Sequence, residues 1–189
     1  MIHNIFINML TLITYNLEDA EITRVSKNLG AETIKRPIEL AQDNSPEWMA
    51  WQHAIKTVNK IHGSFDCFLS LPVTAPLRNQ KDVQLCLNGL DENTDVVITI
   101  TQSFRNPWFN MVCKDATGEL RLLLEGDYIR RQDAPLSFDV TTVAYTIRPD
   151  FILKNQRIWD GRVRGVEIPR ERALDIDTPL DLEIGYETV

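Results

Sequence analysis

Short runs that are apolar at consecutive positions recur along the chain, and stretches with helical apolar spacing separate them. "DCFLSLP" (Asp66 to Pro72) and "TDVVITIT" (Thr94 to Thr101) are two such runs. A strand of this kind buries both faces, so it belongs inside a covered sheet. Between them, "NQKDVQLCLNGL" sets Val83, Leu87 and Leu90 at helical spacing. The clearest helix comes earlier, in "DNSPEWMAWQHAIKTVNKIHG". Trp48, Trp51, Ile55 and Val58 form its stripe, Ser45 is available as a cap, Pro46 suits the first turn, and Gly63 ends it. Strand–helix alternation with buried strands predicts an α/β fold, a mostly parallel sheet with helices on both faces.

Other segments extend the pattern. "NIFINMLTLITY" reads as a core strand and "AETIKRP" as a short strand stopped by Pro37. Between them, Ile22, Val25 and Leu29 fall at helical spacing ahead of Gly30, a natural C-cap. "FNMVCKDATGELRLLL" predicts a hairpin turning at Asp115 to Gly118, inserted into the alternation. "VTTVAYTI" and "RGVEIP" are further strands, and "TPLDLEIGY" a closing helix with Pro179 at its start. At 189 residues, one domain over 1–189 is expected.

A net charge of -7 disfavours nucleic-acid wrapping, which calls for a basic surface. Small anionic ligands remain possible, because a bound cation or helix N-termini offset charge locally. Cys67, Cys86 and Cys113 are scattered in apolar surroundings with no CxxC spacing, which predicts buried, reduced thiols in a cytoplasmic protein. The opening "MIHNIFINMLTLITYN" has no basic n-region and no small-residue cleavage site, and it is too short to span a bilayer. No membrane association is expected.

In covered α/β sheets, ligands bind at the carboxyl ends of the strands. Pro72 to Arg78, Arg105 to Asn110 and Asp175 to Thr178 fall there. "DIDT" puts Asp175 and Asp177 on one side of an apparent strand end. Two carboxylates held together call for a proton or a hard cation such as Mg²⁺, with waters and phosphate oxygens completing its shell. The plainer alternative is that Asp177 or Thr178 caps the helix that begins at Pro179. "LPVTAPLR" is a rigid loop with an arginine, read alone as an ordinary turn. "IRRQDAP" offers arginine forks that match carboxylates and phosphates, or a surface salt bridge. "KRPIELAQDNS" places Arg36 ahead of the Trp-rich helix and reads alone as a connector.

These four motifs, in this order, resemble the acylneuraminate cytidylyltransferase (CMP–sialic acid synthetase) family. They stand at Arg36 to Ala41, Leu71 to Arg78, Arg131 to Pro135 with Tyr145, and Leu174 to Leu182. The resemblance runs from about Glu18 to the end. It implies a nucleotide-diphospho-sugar transferase-like, Rossmann-like fold. It also implies transfer of CMP from CTP to a 2-keto sugar acid, sialic acid or a related nonulosonic acid, with release of pyrophosphate. By that resemblance, Asp175 and Asp177 are the catalytic, Mg²⁺-binding pair. Arg36, Asn44 and Ser45 match the nucleotide-binding region, and Thr74, Arg131, Gln132 and Tyr145 face the sugar acid. Ile158 and Trp159 fall where the family packs aromatics near the sugar, in some cases from a partner subunit. The segment of about 103–135 matches the family's dimerisation element, so a homodimer is expected.

Some family features differ. The opening strand and Gly/Arg/Lys-rich phosphate loop find no counterpart, and no GxGxxG or GxxxxGK stretch stands elsewhere. Asp139 takes the place of a frequent arginine, which leaves legionaminic or pseudaminic acid as plausible as sialic acid. A catalytically impaired binding or partner subunit of the same fold is the alternative reading. A nucleotidyltransferase for a neutral sugar fits the "IDIDTPLDL" and "RRQDAP" stretches less well.

Overall fold

A computed structural model describes residues 14–17, 20–42 and 45–188. Its main sheet has four strands in the order β3-β7-β4-β8: β3 (Phe68–Ser70), β4 (Val96–Gln102), β7 (Phe138–Ile147) and β8 (Val163–Glu167). β7 runs antiparallel to β3 and β4, while β4 and β8 are parallel. Three strands therefore point one way and only β7 opposes them. The sheet is mixed within the expected α/β class.

The consecutive apolar residues of β4 are explained by cover on both faces. Successive side chains along a strand point to opposite sides. Val96 and Ile98 pack with Trp48, Trp51 and Ile55 of α2 (Glu47–His62) and with Ile147 and Ile152. Val97 packs with Cys86 of α3 (Gln80–Asn88) and with Ala144. The β4–β7 register shifts between Ile98 and Ile100. There the Thr99 hydroxyl accepts the Ala144 amide at 3.0 Å and the Thr141 hydroxyl at 2.7 Å, replacing ladder bonds that the bulge removes.

β1 (Thr14–Leu17) and β2 (Glu32–Lys35) form a separate parallel pair, joined by α1 (Ala20–Asn28). Gly30, at φ 85°, ends this helix as expected. Its Ile22, Val25 and Leu29 are exposed, however, and Ser26 is its buried residue. The spacing marks a face but not which side the protein presents to it. The expected core strand over residues 4–15 lies mostly outside the described residues.

The expected hairpin forms outside the main sheet from β5 (Val112–Lys114) and β6 (Leu120–Leu122). Asp115 Oδ1 accepts the amides of Thr117 and Glu119, and Gly118 turns at φ 94°. α4 (Pro149–Lys154) was not anticipated; Pro149 at its first turn is the available signal. α5 (Pro179–Thr188) begins where expected.

Three expectations are corrected. Residues 173–178 form no strand: β8 has ended at Glu167, and a 3-10 turn over Arg170–Arg172 breaks the line. Ser45 does not cap α2, because its hydroxyl donates to the Glu39 carbonyl at 2.8 Å. Only Cys86 is buried; Cys67 precedes the edge strand β3 and is exposed, and Cys113 is half-exposed on the hairpin.

Candidate functional site

β3, β4 and β8 end on the same edge of the sheet, so the loops that follow them converge. The loop after β3 is held from beneath. Arg78 Nε donates to the Ala75 carbonyl at 3.0 Å, and its Nη1 donates to the Val143 carbonyl at 2.9 Å. This arginine ties the loop to β7 instead of facing solvent as an ordinary turn arginine would.

The stretch that carries Asp175 and Asp177 is pinned at three points. Before it, Arg172 grips the fully buried Asp82 through Nε and Nη2 at 2.8 and 2.9 Å. Within it, the Ile176 amide donates to the Thr74 carbonyl at 2.8 Å. After it, Thr178 and Asp181 cap α5. Asp181 Oδ2 accepts the Thr178 amide and hydroxyl, each at 2.7 Å, and the Thr178 hydroxyl accepts the Asp181 amide. Capping therefore does not use the Asp177 carboxylate. Asp175 Oδ1 is buried and has no hydrogen-bond partner. A buried carboxylate oxygen left unsatisfied costs stability unless something else meets it. Among the described residues no group of three or more His, Cys, Asp or Glu is arranged to hold a metal. Asp175 and Asp177 are the carboxylates of this strap that could hold a hard cation, with water and phosphate as its remaining ligands.

Tyr145 lies on β7 between Ser70 and Ile98, with its ring 5.7 Å from that of Trp51. Burial raises its phenol pKa, and the negative charges of Glu47 and Asp175 raise it further. Protein crowds the Glu47 carboxyl although the residue keeps exposed surface, and this desolvation raises its pKa; the Trp51 indole N–H and the Arg36 guanidinium act the other way. Arg36 has a buried Nε without a hydrogen-bond partner. Glu47 and Asp175 both act on Tyr145, and Arg36 acts on Glu47, while the Thr74 carbonyl holds the strap at Ile176. Glu47 escaped the sequence reading because an acid in the first turn of a helix has an ordinary explanation in the helix dipole.

On the other flank, an open cleft of ≈ 330 Å³ lies at the carboxyl ends of β4 and β8. Arg131 and Arg170 line it, and Arg131 Nη2 donates to the Ser103 carbonyl at 3.0 Å. Arg130, by contrast, forms the expected surface pair with Asp133 at 2.7 Å. Gln132 is exposed beside Arg131 and is not part of the cleft wall. Ile158 and Trp159 are not brought to this edge. Val163 pairs with Val96 at the amino ends of β8 and β4, and the turn Ile158–Asp160 precedes it. Ile158 packs on the Trp48 core, and Trp159 is 63% exposed. Asn44 lies outside the described residues.

No family model matches the sequence. The chain is 28% identical over 176 residues to the post-translational flagellin modification protein B of Campylobacter coli. It is 29% identical over 176 residues to a CMP-N,N'-diacetyllegionaminic acid synthase of Campylobacter jejuni. Each alignment covers 91% of this chain and 74% of the relative. Among solved structures, a CMP:2-keto-3-deoxy-manno-octonic acid synthetase complexed with CTP superposes with a TM-score of 0.62 at 14% identity, covering 94% of this chain and 80% of that one. A 4-diphosphocytidyl-2C-methyl-D-erythritol synthase of Anaerococcus prevotii superposes with a TM-score of 0.61 at 12% identity, covering 91% and 77%. These two likenesses establish the fold.

Proposed function

We propose that this chain, CMP–sialic acid synthetase-like in sequence and in fold, is a cytidylyltransferase that activates a 2-keto sugar acid with CTP. The observation that carries the reading is the pinned strap: the Ile176 amide on the Thr74 carbonyl places the aspartates beside the loop after β3. The acceptor is sialic acid or a related nonulosonic acid. The anomeric hydroxyl oxygen bonds to the α-phosphorus, the bond from that phosphorus to the β-phosphate bridge breaks, and pyrophosphate leaves. The hydroxyl proton passes to solvent. Such a displacement asks the protein mainly for positioning and charge neutralisation.

Asp175 and Asp177 would hold Mg²⁺, which when bound neutralises phosphate oxygens and makes a coordinated hydroxyl more acidic. Arg36 sits on the flank of β2 and would meet the nucleotide with Ser45. Thr74, Tyr145 and Arg131 would face the sugar acid. Among the described residues no helix is long and apolar enough to cross a membrane. The cytoplasm, where CTP is found, is the compartment of this reading.

A homodimer through residues 103–135 belongs to the same reading. Val112, Leu120 and Ile129 of that segment are 53%, 64% and 91% exposed, more apolar surface than a lone hairpin usually leaves open. In such a dimer, Trp159 would serve the partner's site. Sedimentation velocity should show a dimer that Leu120→Glu converts to monomer; a wild-type monomer at assay concentrations would remove the dimer from the account.

The activity itself is tested by incubating the purified chain with CTP, Mg²⁺ and a panel of sialic, legionaminic and pseudaminic acids. Pyrophosphate release and a CMP-sugar mass are expected with at least one acid. No product with any acid, together with no CTP binding by calorimetry, would refute the enzyme and leave a non-catalytic subunit.

A further inference from the structure

We infer that Arg170, together with Arg131, binds the carboxylate of the sugar acid in the cleft at the ends of β4 and β8; this rests on the cytidylyltransferase reading. The chain is acidic overall, and five of its arginines are paired with aspartates. Arg130, Arg157, Arg162, Arg164 and Arg172 each meet an aspartate between 2.7 and 2.9 Å. Arg131 and Arg170 form no ion pair among the described residues, yet both line the same cleft.

Arg170 is also positioned rather than free to wander. Its guanidinium lies 4.7 Å from the centroid of the Phe104 ring, and Arg105 approaches that ring at 5.6 Å. Stacking on an aromatic face orients the planar fork and leaves its N–H edges for another acceptor. Arg131 is likewise tethered through Nη2 to the Ser103 carbonyl. The acidic neighbours are Glu167, in the cleft wall, and Asp139, which accepts the Ser103 hydroxyl at 2.7 Å. Among the described residues neither forms an ion pair with an arginine.

Core packing connects the cleft wall to the loop that holds the aspartate strap. Ile168 lines the cleft and packs on Ala75 and Val143, and Ala75 follows the Thr74 whose carbonyl holds Ile176. A 2-keto sugar acid carries one anionic group at neutral pH, its carboxylate. Two tethered guanidinium forks that form no ion pair among the described residues match that group in charge and shape.

The test compares wild type, Arg170→Ala and Arg170→Lys. For the acid that supports turnover, Arg170→Ala should raise KM about tenfold or more, with KM for CTP within about twofold. Arg170→Lys, which keeps charge but not the fork, should fall between. Calorimetric titration of the same acid without CTP should show the same ranking, using N-acetylneuraminate where no acid is turned over. An analogue with the carboxylate reduced to an alcohol should bind wild type and Arg170→Ala equally weakly. The inference is overturned if the acid's affinity stays within about twofold in Arg170→Ala, if the alcohol weakens as much as the acid, or if wild type does not bind the acid at all. Failure of the enzyme reading shows separately, as absent turnover by wild type, and the titration still reports on Arg170.

Discussion

Asp177→Asn should lower the rate of pyrophosphate release by roughly 10²–10³-fold, and Asp175→Asn by at least as much. Both changes keep side-chain volume and remove the negative charge that would meet a cation. The fold should survive, because neither carboxylate holds the strap. The Ile176 amide, Thr178 and Asp181 do so. Asp175 carries an added expectation from its buried, unsatisfied Oδ1. Without metal, replacing that carboxylate by a neutral amide should leave the melting midpoint unchanged or raise it, since the charge of a half-buried carboxylate whose Oδ1 has no donor is removed. With Mg²⁺ and CTP the wild type should gain thermal stability by linkage, and both variants should lose most of that gain. Calorimetric titration of CTP with Mg²⁺ gives the matching binding curves. A variant that keeps both its rate within about threefold and its Mg²⁺-dependent stabilisation would remove the two aspartates from the metal site.

Much of this fold was legible because β4, α2 and the hairpin announce themselves locally. Consecutive apolar residues from Val96 to Ile98 need cover on both faces, and α2 and α3 supply it. Gly30, Gly63 and Gly118 each mark a left-handed turn that glycine reaches without steric cost. The losses share one cause, which is that contact across the chain is not written in local spacing. Ile22, Val25 and Leu29 have helical period, but period does not say which face meets the sheet. "IDIDT" alternates like a strand, yet its hydrogen bond runs to Thr74 in a distant loop and no ladder forms. The site was legible mainly through motif order. The loop of Thr74 does meet the strap of Asp175 through the Ile176 amide, whereas Ile158 and Trp159 stand at the opposite end of the strands. Arg170 could have been noticed as a basic residue just after a strand end. What distinguishes it is the Phe104 ring beneath it, brought from the end of another strand.

Arg172→Met should lower the melting midpoint by roughly 10 °C, the largest stability effect of any single change outside the central core. Asp82 is 0% exposed, and its two oxygens accept Arg172 at 2.8 and 2.9 Å and the Asn79 amide at 3.0 Å. Removing the guanidinium leaves a carboxylate in the interior with a single remaining donor, and such a charge recovers only part of its lost hydration. Methionine fills much of the space vacated by the arginine stem, so lost packing contributes less than the lost charge partner. The arginine side chain keeps 26% of its surface in solvent, which lets water reach the gap and holds the loss toward the lower end of what buried pairs show. Asp82→Asn in the Arg172→Met background separates these causes. If the unpaired charge is responsible, the double variant melts above the single one although it lacks both partners. The same pair anchors the approach to Asp175, so Arg172→Met should also weaken Mg²⁺-dependent CTP binding, while the double variant regains stability without regaining that binding. A midpoint within about 2 °C of wild type, or a double variant no more stable than the single, would show that Asp82 does not depend on Arg172 for its charge balance.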